Sequence, residues 1–260
     1  MNKKIVSIRR IVIFSLCSII VFGLSIFSVY SQQMPNMNND TANLKTSQMG
    51  DDEEVPHPFF THMGMPEAPG VFSLRTSALL TKNIDGKSTG DFAFHLEMGL
   101  SKLVGLHIRN DRFLDNTHTE IMFQFAAIRS KDGMSGFSPL IEFEIPTKKG
   151  VTRINSLVGF STALVRSRFA INQVIHYNPR EDMVDGSIAL VYKVTKGVFV
   201  VIESLGKKMM DENAIVTLIG GVKIKLYKNL ILGVGYQHTL TTNKEFLSQY
   251  IFQPNFEWKR

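Results

Sequence analysis

The sequence predicts an all-β protein: an antiparallel, up-and-down transmembrane β-barrel of about 12 strands over residues 71–260. From Val71 onward, apolar and polar residues alternate with a period of two, which places each set on its own face of a strand. The alternating runs are about 9 to 13 residues long. A tilted strand needs about 9 to 11 residues to cross a bilayer, whereas soluble strands average about 5 or 6. Short turns also alternate with longer, charged loops, as in transmembrane barrels.

The first 31 residues predict a secretory signal peptide. A basic start, residues 1–10, precedes an apolar stretch, residues 11–30, and Val29 and Ser31 are small residues suited to a cleavage site. About 20 apolar residues could also remain as an uncleaved anchor. No basic stop-transfer cluster follows, which favours cleavage and export.

Charge and cysteine content exclude several classes of protein. Four of the cationic residues behind the formal net charge of +6 lie in the first ten residues. The remaining chain is only weakly basic, which argues against a nucleic-acid partner. The single cysteine, Cys17, excludes a disulfide framework and a thiolate metal cluster.

Residues 32–70 form a second region, rich in methionine and proline and without helix or strand periodicity. We expect an irregular, exposed N-terminal segment. Its acidic run, residues 51–54, is typical of a solvated charged tail, and a site for a hard cation is the less favoured alternative.

The segment also contains a candidate metal site. Imidazole and thioether groups suit copper, and methionine favours Cu(I) where free thiols are scarce. The alternative is that the methionines pack at the barrel rim, since methionine often fills apolar gaps, and that the second histidine is an ordinary loop residue. The candidate copper ligands are His57, His62, Met63 and Met65.

Residues 71–260 supply the strands. Phe92 and Phe94 alternate with Ala93 and His95, and the same pattern recurs to the end of the chain. Pro254 lies inside the last strand, where it forfeits a ladder hydrogen bond or marks a bulge. The expected strands cover about 71–81, 91–100, 103–112, 119–129, 138–146, 152–164, 167–178, 186–196, 198–205, 214–226, 229–240 and 246–258.

If the apolar faces contact lipid, the opposite faces line a lumen. The ionisable residues there favour either a constriction that selects ions or small polar solutes, or an internal salt-bridge network that fills the barrel. A soluble sheet with its apolar face inward is the alternative fold. The candidate lumen residues are His95, Glu97, His107, Arg109, Glu142, Glu144, Lys193, Lys223 and Lys225.

Two stretches resemble known proteins. The end of the chain, Tyr250 to Trp258, resembles the terminal strand of bacterial outer-membrane proteins, which the barrel-assembly machinery recognises, although Lys259 and Arg260 follow the final aromatic residue. The segment His57 to Gly70 and the regular hairpins after it resemble the transporter-like outer-membrane barrels of the meta-pathway phenol-degradation type. This resemblance implies a bacterial outer-membrane location, with outer-membrane lipid and the assembly machinery as partners.

The function expected from these features is a channel or transporter for a small solute or a metal ion. The alternative is a non-transporting periplasmic or cell-surface β protein that binds copper or another ligand through the Met/His segment. We do not expect an enzyme, because the sequence contains no nucleophile elbow, no His-Glu-x-x-His zinc motif and no phosphate loop.

Overall fold

The computed structural model describes residues 55–114, 118–131, 133–147 and 153–259. The expected signal peptide, residues 1–31, and the first part of the Met/Pro-rich segment, residues 32–54, lie outside these described residues. Within the described ranges, no helix combines the length and apolar character that a membrane crossing requires.

The chain forms a closed antiparallel barrel of twelve long strands, with one further strand of two residues. Each long strand pairs with its neighbours in sequence, β4 pairs with β6 across the short β5, and β1 pairs with β13 to close the ring. The strands are β1 Val71–Lys82, β2 Ser88–Gly99, β3 Val104–Asn110, β4 His118–Phe125, β5 Ile128–Arg129, β6 Gly136–Pro146, β7 Asn155–Arg166, β8 Phe169–Asn178, β9 Met183–Thr195, β10 Val198–Met209, β11 Ile215–Tyr227, β12 Leu230–Thr239 and β13 Ser248–Lys259.

The predicted fold class is confirmed, and the main difference lies after β4. The sequence predicts one strand over 119–129, but β4 ends at Phe125 and β5 pairs separately with β6. The backbone N–H of Ala126 donates to the carbonyl of Leu103, and that of Ala127 donates to Phe137. The pairing with β6 therefore continues from β4 into β5 with its register shifted by one residue, while the pairing with β3 ends at Phe125.

Connections at the two ends of the barrel differ in length. At the end that holds the start of β1 and the end of β13, the turns 167–168, 196–197 and 228–229 have two residues each. Gly197 adopts a φ of 72°, a left-handed conformation that glycine reaches without strain. The connections at the opposite end are mostly longer, for example 240–247 after β12, and the long exception at the short-turn end is 126–135, which contains β5. This asymmetry is the one that the sequence predicts.

Pro254 marks an interruption where the ring closes. The β1–β13 ladder runs in one register from Val71 opposite Lys259 to Lys82 opposite Ser248, but Thr76 and Ser77 have no paired residue in it. Pro254 and Gln253 occupy the corresponding positions on β13, and proline has no N–H to donate to a ladder. The register is the same on both sides of the gap, so no bulge forms.

The outer face of the barrel is apolar and the inner face is largely polar. Large apolar side chains such as Val234, Phe92 and Leu80 are 53–60% exposed. The alternating residues between them point inward and are mostly buried, and many are charged or polar. This is the reverse of a soluble sandwich, which buries its apolar faces.

Candidate functional site

The barrel interior is occupied by the chain's own N-terminal segment. Residues 55–66, which we call the plug, are all buried except Met63. Residues 67–70 connect the plug to β1, with the N–H of Gly70 donating to the carbonyl of Gly99. The expectation of an exposed segment is therefore wrong for residues 55–66. Its irregular backbone finds hydrogen-bond partners on the barrel wall instead of in water.

Glu203, on β10, holds the centre of the plug. Its carboxylate accepts the backbone N–H groups of Phe59, Phe60 and Thr61, the last two at 3.0 Å, and also the Thr61 hydroxyl at 3.1 Å. The Glu203 side chain is fully buried. Three consecutive amides and a hydroxyl thus replace the water that a carboxylate would otherwise require.

Cationic and amide groups on neighbouring strands bind the plug carbonyls. The Lys223 ammonium lies 2.6 Å from the carbonyl oxygen of His57 and 2.9 Å from that of Pro58. The Arg75 guanidinium donates to the Pro58 carbonyl at 3.0 Å, and the Gln253 amide donates to that of Phe59 at 2.8 Å. Side chains of the wall therefore form hydrogen bonds with both the N–H groups and the carbonyl groups of the plug backbone.

The ring of Phe59 fits a hollow made by glycine. Cβ atoms placed on Gly233 or Gly235 would come within 3.0 Å of the ring, and one on Gly221 within 2.5 Å. The Lys223 ammonium lies 4.7 Å from the ring centroid, a cation–π geometry. Three strand positions without side chains thus create the space that anchors the plug.

The opposite wall contacts the other half of the plug. The N–H of Gly64 donates to Asn172 at 2.9 Å, and its carbonyl accepts from the Ser161 hydroxyl at 3.2 Å. The Gln124 amide donates to the Met63 carbonyl at 2.9 Å. A Cβ on Gly64 would lie 1.9 Å from the carbonyl oxygen of Thr162, so only glycine allows this approach.

Glu97, on β2, is the centre of the buried charges. Its carboxylate pairs with Arg75 and, at 3.0 Å, with Nδ1 of His57. Nε2 of His57 lies 2.9 Å from Glu67. Burial alone would lower the pKa of the His57 imidazole, but the carboxylates of Glu97 and Glu67 outweigh burial and raise it to about 10. His57 is therefore a cation that joins the plug to the wall.

His62 lies among the other histidines of the interior. Its ring centroid is 5.1 Å from that of His107, 5.9 Å from that of His95 and 6.5 Å from that of His176. Nε2 of His62 lies 2.9 Å from the Arg109 guanidinium. Burial and this positive charge hold the pKa of the His62 imidazole well below its usual value, so His62 is neutral.

All nine candidate lumen residues lie on the inward-facing side of their strands. His95, Glu97, His107, Glu142 and Lys223 are buried, whereas Arg109, Glu144, Lys193 and Lys225 are partly buried.

Several of these groups form ion pairs. Arg109 pairs with Glu120 and with Asp111, and His95 lies 2.7 Å from Asp111. Glu142 lies 3.6 Å from His176. The salt-bridge network that the sequence offers as one alternative therefore occurs around the plug, and a constriction that selects solutes remains a prediction.

The four candidate copper ligands have different contacts in the structure. His57 and His62 both face Glu97, at 3.0 and 3.9 Å. The sulfur of Met65 lies 3.5 Å from the Ser138 hydroxyl, and the backbone carbonyl of Met63 binds Gln124. Copper binding by all four residues remains a prediction.

Several residues that hold the plug were not predicted from the sequence, among them Arg75, Glu203 and Asn172. Arg75 carries a usable signal, because it alternates with Ser73 and Ser77 on a strand whose other face is apolar. Glu203 could not be recognised from the sequence as a lumen residue, because its neighbours on the same face of β10, Val201 and Leu205, are apolar. Those neighbours pack with the plug's apolar residues, so the inner face is polar only in part.

No protein-family model matches the sequence, and no curated protein matches it. Solved structures do. The COG4313 outer membrane channel from Pseudomonas putida F1 aligns with a TM-score of 0.53 at 8% identity, over 75% of this chain and 98% of that one. The NanC porin aligns with a TM-score of 0.49 at 6% identity, over 73% of this chain and 99% of its own. At such identity, the likeness to the first channel shows the shared fold alone.

Proposed function

We propose that the chain is a bacterial outer-membrane channel for a small solute or a metal ion, and that its own plug closes it. The observation that carries this proposal is a strand-free segment held across the lumen by hydrogen bonds and ion pairs from strands around the barrel. A pore needs a polar wall that tolerates water once the plug leaves. Buried acids and histidines, together with Arg75 and Lys223, supply such a wall.

The membrane location is supported by the outer surface. Apolar side chains that are about half exposed recur on strands around the barrel, including Phe92 on β2, Ile202 on β10 and Phe252 on β13. In water a surface of this kind would promote aggregation, whereas lipid tails match it. Outer-membrane lipid and the barrel-assembly machinery are the partners proposed on this basis. The name of the Pseudomonas channel supports the same location and a non-enzymatic role.

The resemblance of His57 to Gly70 to the meta-pathway phenol-degradation type supports a transporter-like role within that group. The segment that carries this resemblance is largely the plug. The sequence has no nucleotide-binding motif, so the proposed transport is passive passage or export assisted by another protein. A non-transporting β protein that uses its Met/His segment to bind a ligand remains the competing function, and the following experiment separates the two.

The decisive measurement is conductance in a planar bilayer. The mature chain and a variant that lacks residues 32–66 are refolded in detergent, and both are checked for faster gel migration without boiling. We expect small or rare openings from the mature chain and a steady conductance from the deletion variant. A folded deletion variant that inserts but does not conduct would contradict the channel proposal. A chain that stays soluble without detergent would contradict the membrane location.

A point variant provides the matched control for the deletion. Glu203→Ala keeps the full chain but removes the carboxylate that binds three plug amides. Its openings should be more frequent than those of the unmodified chain and should reach the conductance of the deletion variant. Glu212→Ala, in an exposed loop, should behave like the unmodified chain.

A further inference from the structure

We propose that the plug and the barrel wall together bind one divalent transition-metal ion, with His62, Glu97 and His107 as the protein ligands. One ligand atom from each residue lies within 4.8 Å of the other two. The three side chains are at most 3% exposed. His62 belongs to the plug, whereas Glu97 and His107 belong to β2 and β3, so the site joins two separate parts of the fold.

The distances are close to those that a metal ion requires. Nδ1 of His107 lies 3.5 Å from Oε1 of Glu97, and Nδ1 of His62 lies 3.9 Å from the same oxygen. Ligand atoms about 2.1 Å from a tetrahedral Zn²⁺ are roughly 3.4 Å apart. The ligand atoms of the two histidines lie within 4.8 Å of each other, so coordination requires them to move closer together.

Both imidazole nitrogens are buried without a hydrogen-bond partner. Nδ1 of His62 and Nδ1 of His107 make no hydrogen bond to any group in the described structure. Buried polar atoms are nearly always paired, and an orphaned atom calls for an explanation such as an ion. Two orphaned nitrogens beside one carboxylate fit an ion that the two histidines and Glu97 share.

The orientation of His107 supports metal binding. The amide nitrogen of Gln124 donates to the Met63 carbonyl and to the Ser161 hydroxyl, so its oxygen is the acceptor toward Nε2 of His107, at 3.0 Å. The ring proton therefore lies on Nε2, and the lone pair of Nδ1 faces the Glu97 carboxylate. Metal-binding histidines commonly donate their other N–H to an oxygen in this way. The Glu97 oxygen that faces Nδ1 also accepts from the Arg75 guanidinium, so a bound ion would share this oxygen with Arg75.

Metal binding by His62 requires its ring proton to move from Nδ1 to Nε2. Its Nε2 accepts from Arg109, because a guanidinium only donates, so the proton lies on Nδ1. Coordination through Nδ1 moves that proton to Nε2 and releases the Arg109 contact. Arg109 keeps its pairs with Glu120 and Asp111, so its charge remains compensated.

The ligand set indicates the kind of ion. Two imidazoles and one carboxylate form the protein ligands of many zinc sites, with a fourth position left for water. Cu(I) prefers thioethers, and the Met65 sulfur lies beside Ser138 on the wall. Zn²⁺ is therefore the probe that the geometry favours.

In the proposed channel, an ion bound at this site would favour the closed state. Because the ion needs His62 in its docked position, it binds the closed state more tightly than an open one. A ligand with such a preference stabilises the closed state. This consequence rests on the proposed function, whereas metal binding itself does not.

The test is a calorimetric titration of Zn²⁺ into the mature chain in detergent, after treatment with a chelator. We expect one saturable Zn²⁺ per chain. His62→Gln and His107→Gln should each weaken binding at least tenfold, and His238→Gln, on the exposed outer face, should leave it unchanged. Each variant is first checked for native gel migration. His62→Gln decides the matter if His107→Gln fails to fold, because His62 lies outside the strands.

Two results would overturn the proposal: no saturable binding, or binding that both glutamine variants retain at full affinity. Bilayer recordings form a separate arm, in which Zn²⁺ should reduce the openings of the mature chain. Absence of any conductance would contradict the channel proposal while leaving the titration valid.

Discussion

Removal of the Glu203 carboxylate should release the plug. Glu203→Ala leaves the buried N–H groups of Phe59, Phe60 and Thr61 without an acceptor. An unsatisfied buried donor costs about 1–3 kcal/mol. Water can enter the space of the lost carboxylate, so we take the lower value for each donor, which gives about 3 kcal/mol in total. That energy shifts the ratio of docked to undocked plug by roughly 100-fold.

Thiol labelling measures this shift directly. The only cysteine, Cys17, lies in the predicted signal peptide, so Val55→Cys places a single buried thiol in the mature chain. When docking is fast relative to labelling, the labelling rate follows the undocked population. The rate should rise roughly 100-fold in the Glu203→Ala background.

Glu203→Gln is the graded control, because its amide oxygen still accepts hydrogen bonds but carries no charge. Its labelling rate should fall between those of the other two chains. If Glu203→Ala labels no faster than about threefold above the single-cysteine parent, the carboxylate does not hold the plug. The energy assigned to three unsatisfied donors would then be wrong.

Three further predictions follow from the same contacts. Gly235→Ala should raise Val55→Cys labelling because the three atoms nearest to its Cβ all belong to the Phe59 ring, the closest at 3.0 Å, whereas Gly220→Ala, with no atom within 4 Å, should not. Phe59→Ala should raise the labelling rate of Val55→Cys further, since loss of a buried phenylalanine side chain costs about 3–5 kcal/mol. A labelling rate equal to that of the single-cysteine parent would contradict the anchoring role of Phe59. Val234→Arg, at the middle of β12, should destabilise the barrel in lipid vesicles by about 2–4 kcal/mol in urea titrations, whereas Leu240→Arg, beyond the end of that strand, should cost less. Equal effects of the two arginines would argue against a lipid-facing wall.

The strands were predictable because period-two alternation depends only on which face meets an apolar medium. Phe92 and Phe94 face outward and His95 faces inward, as the sequence indicates. The end of β4 was less predictable, because the pairing with β6 shifts its register by one residue between Gln124 and Ile128, and this shift leaves no side-chain pattern.

The plug could not be found from the sequence because its partners are distant along the chain. Phe59 and Glu203 are separated by 144 residues, and Gly221, Gly233 and Gly235 give no sign of the ring that they accommodate.

The residues of the proposed metal site were partly predictable. Glu97 and His107 follow from strand alternation and His62 from the His/Met spacing, but only the closed ring brings them together.

The interruption opposite Pro254 has a mechanical consequence. At that position the first and last strands lack two backbone pairs, and side chains bridge them instead. The Gln253 amide donates at 2.9 Å to the Ser77 hydroxyl across the gap and at 2.8 Å to the carbonyl of Phe59. The plug therefore also fastens the join between the two ends of the sheet, so its departure would both clear the passage and loosen the wall sideways at this join.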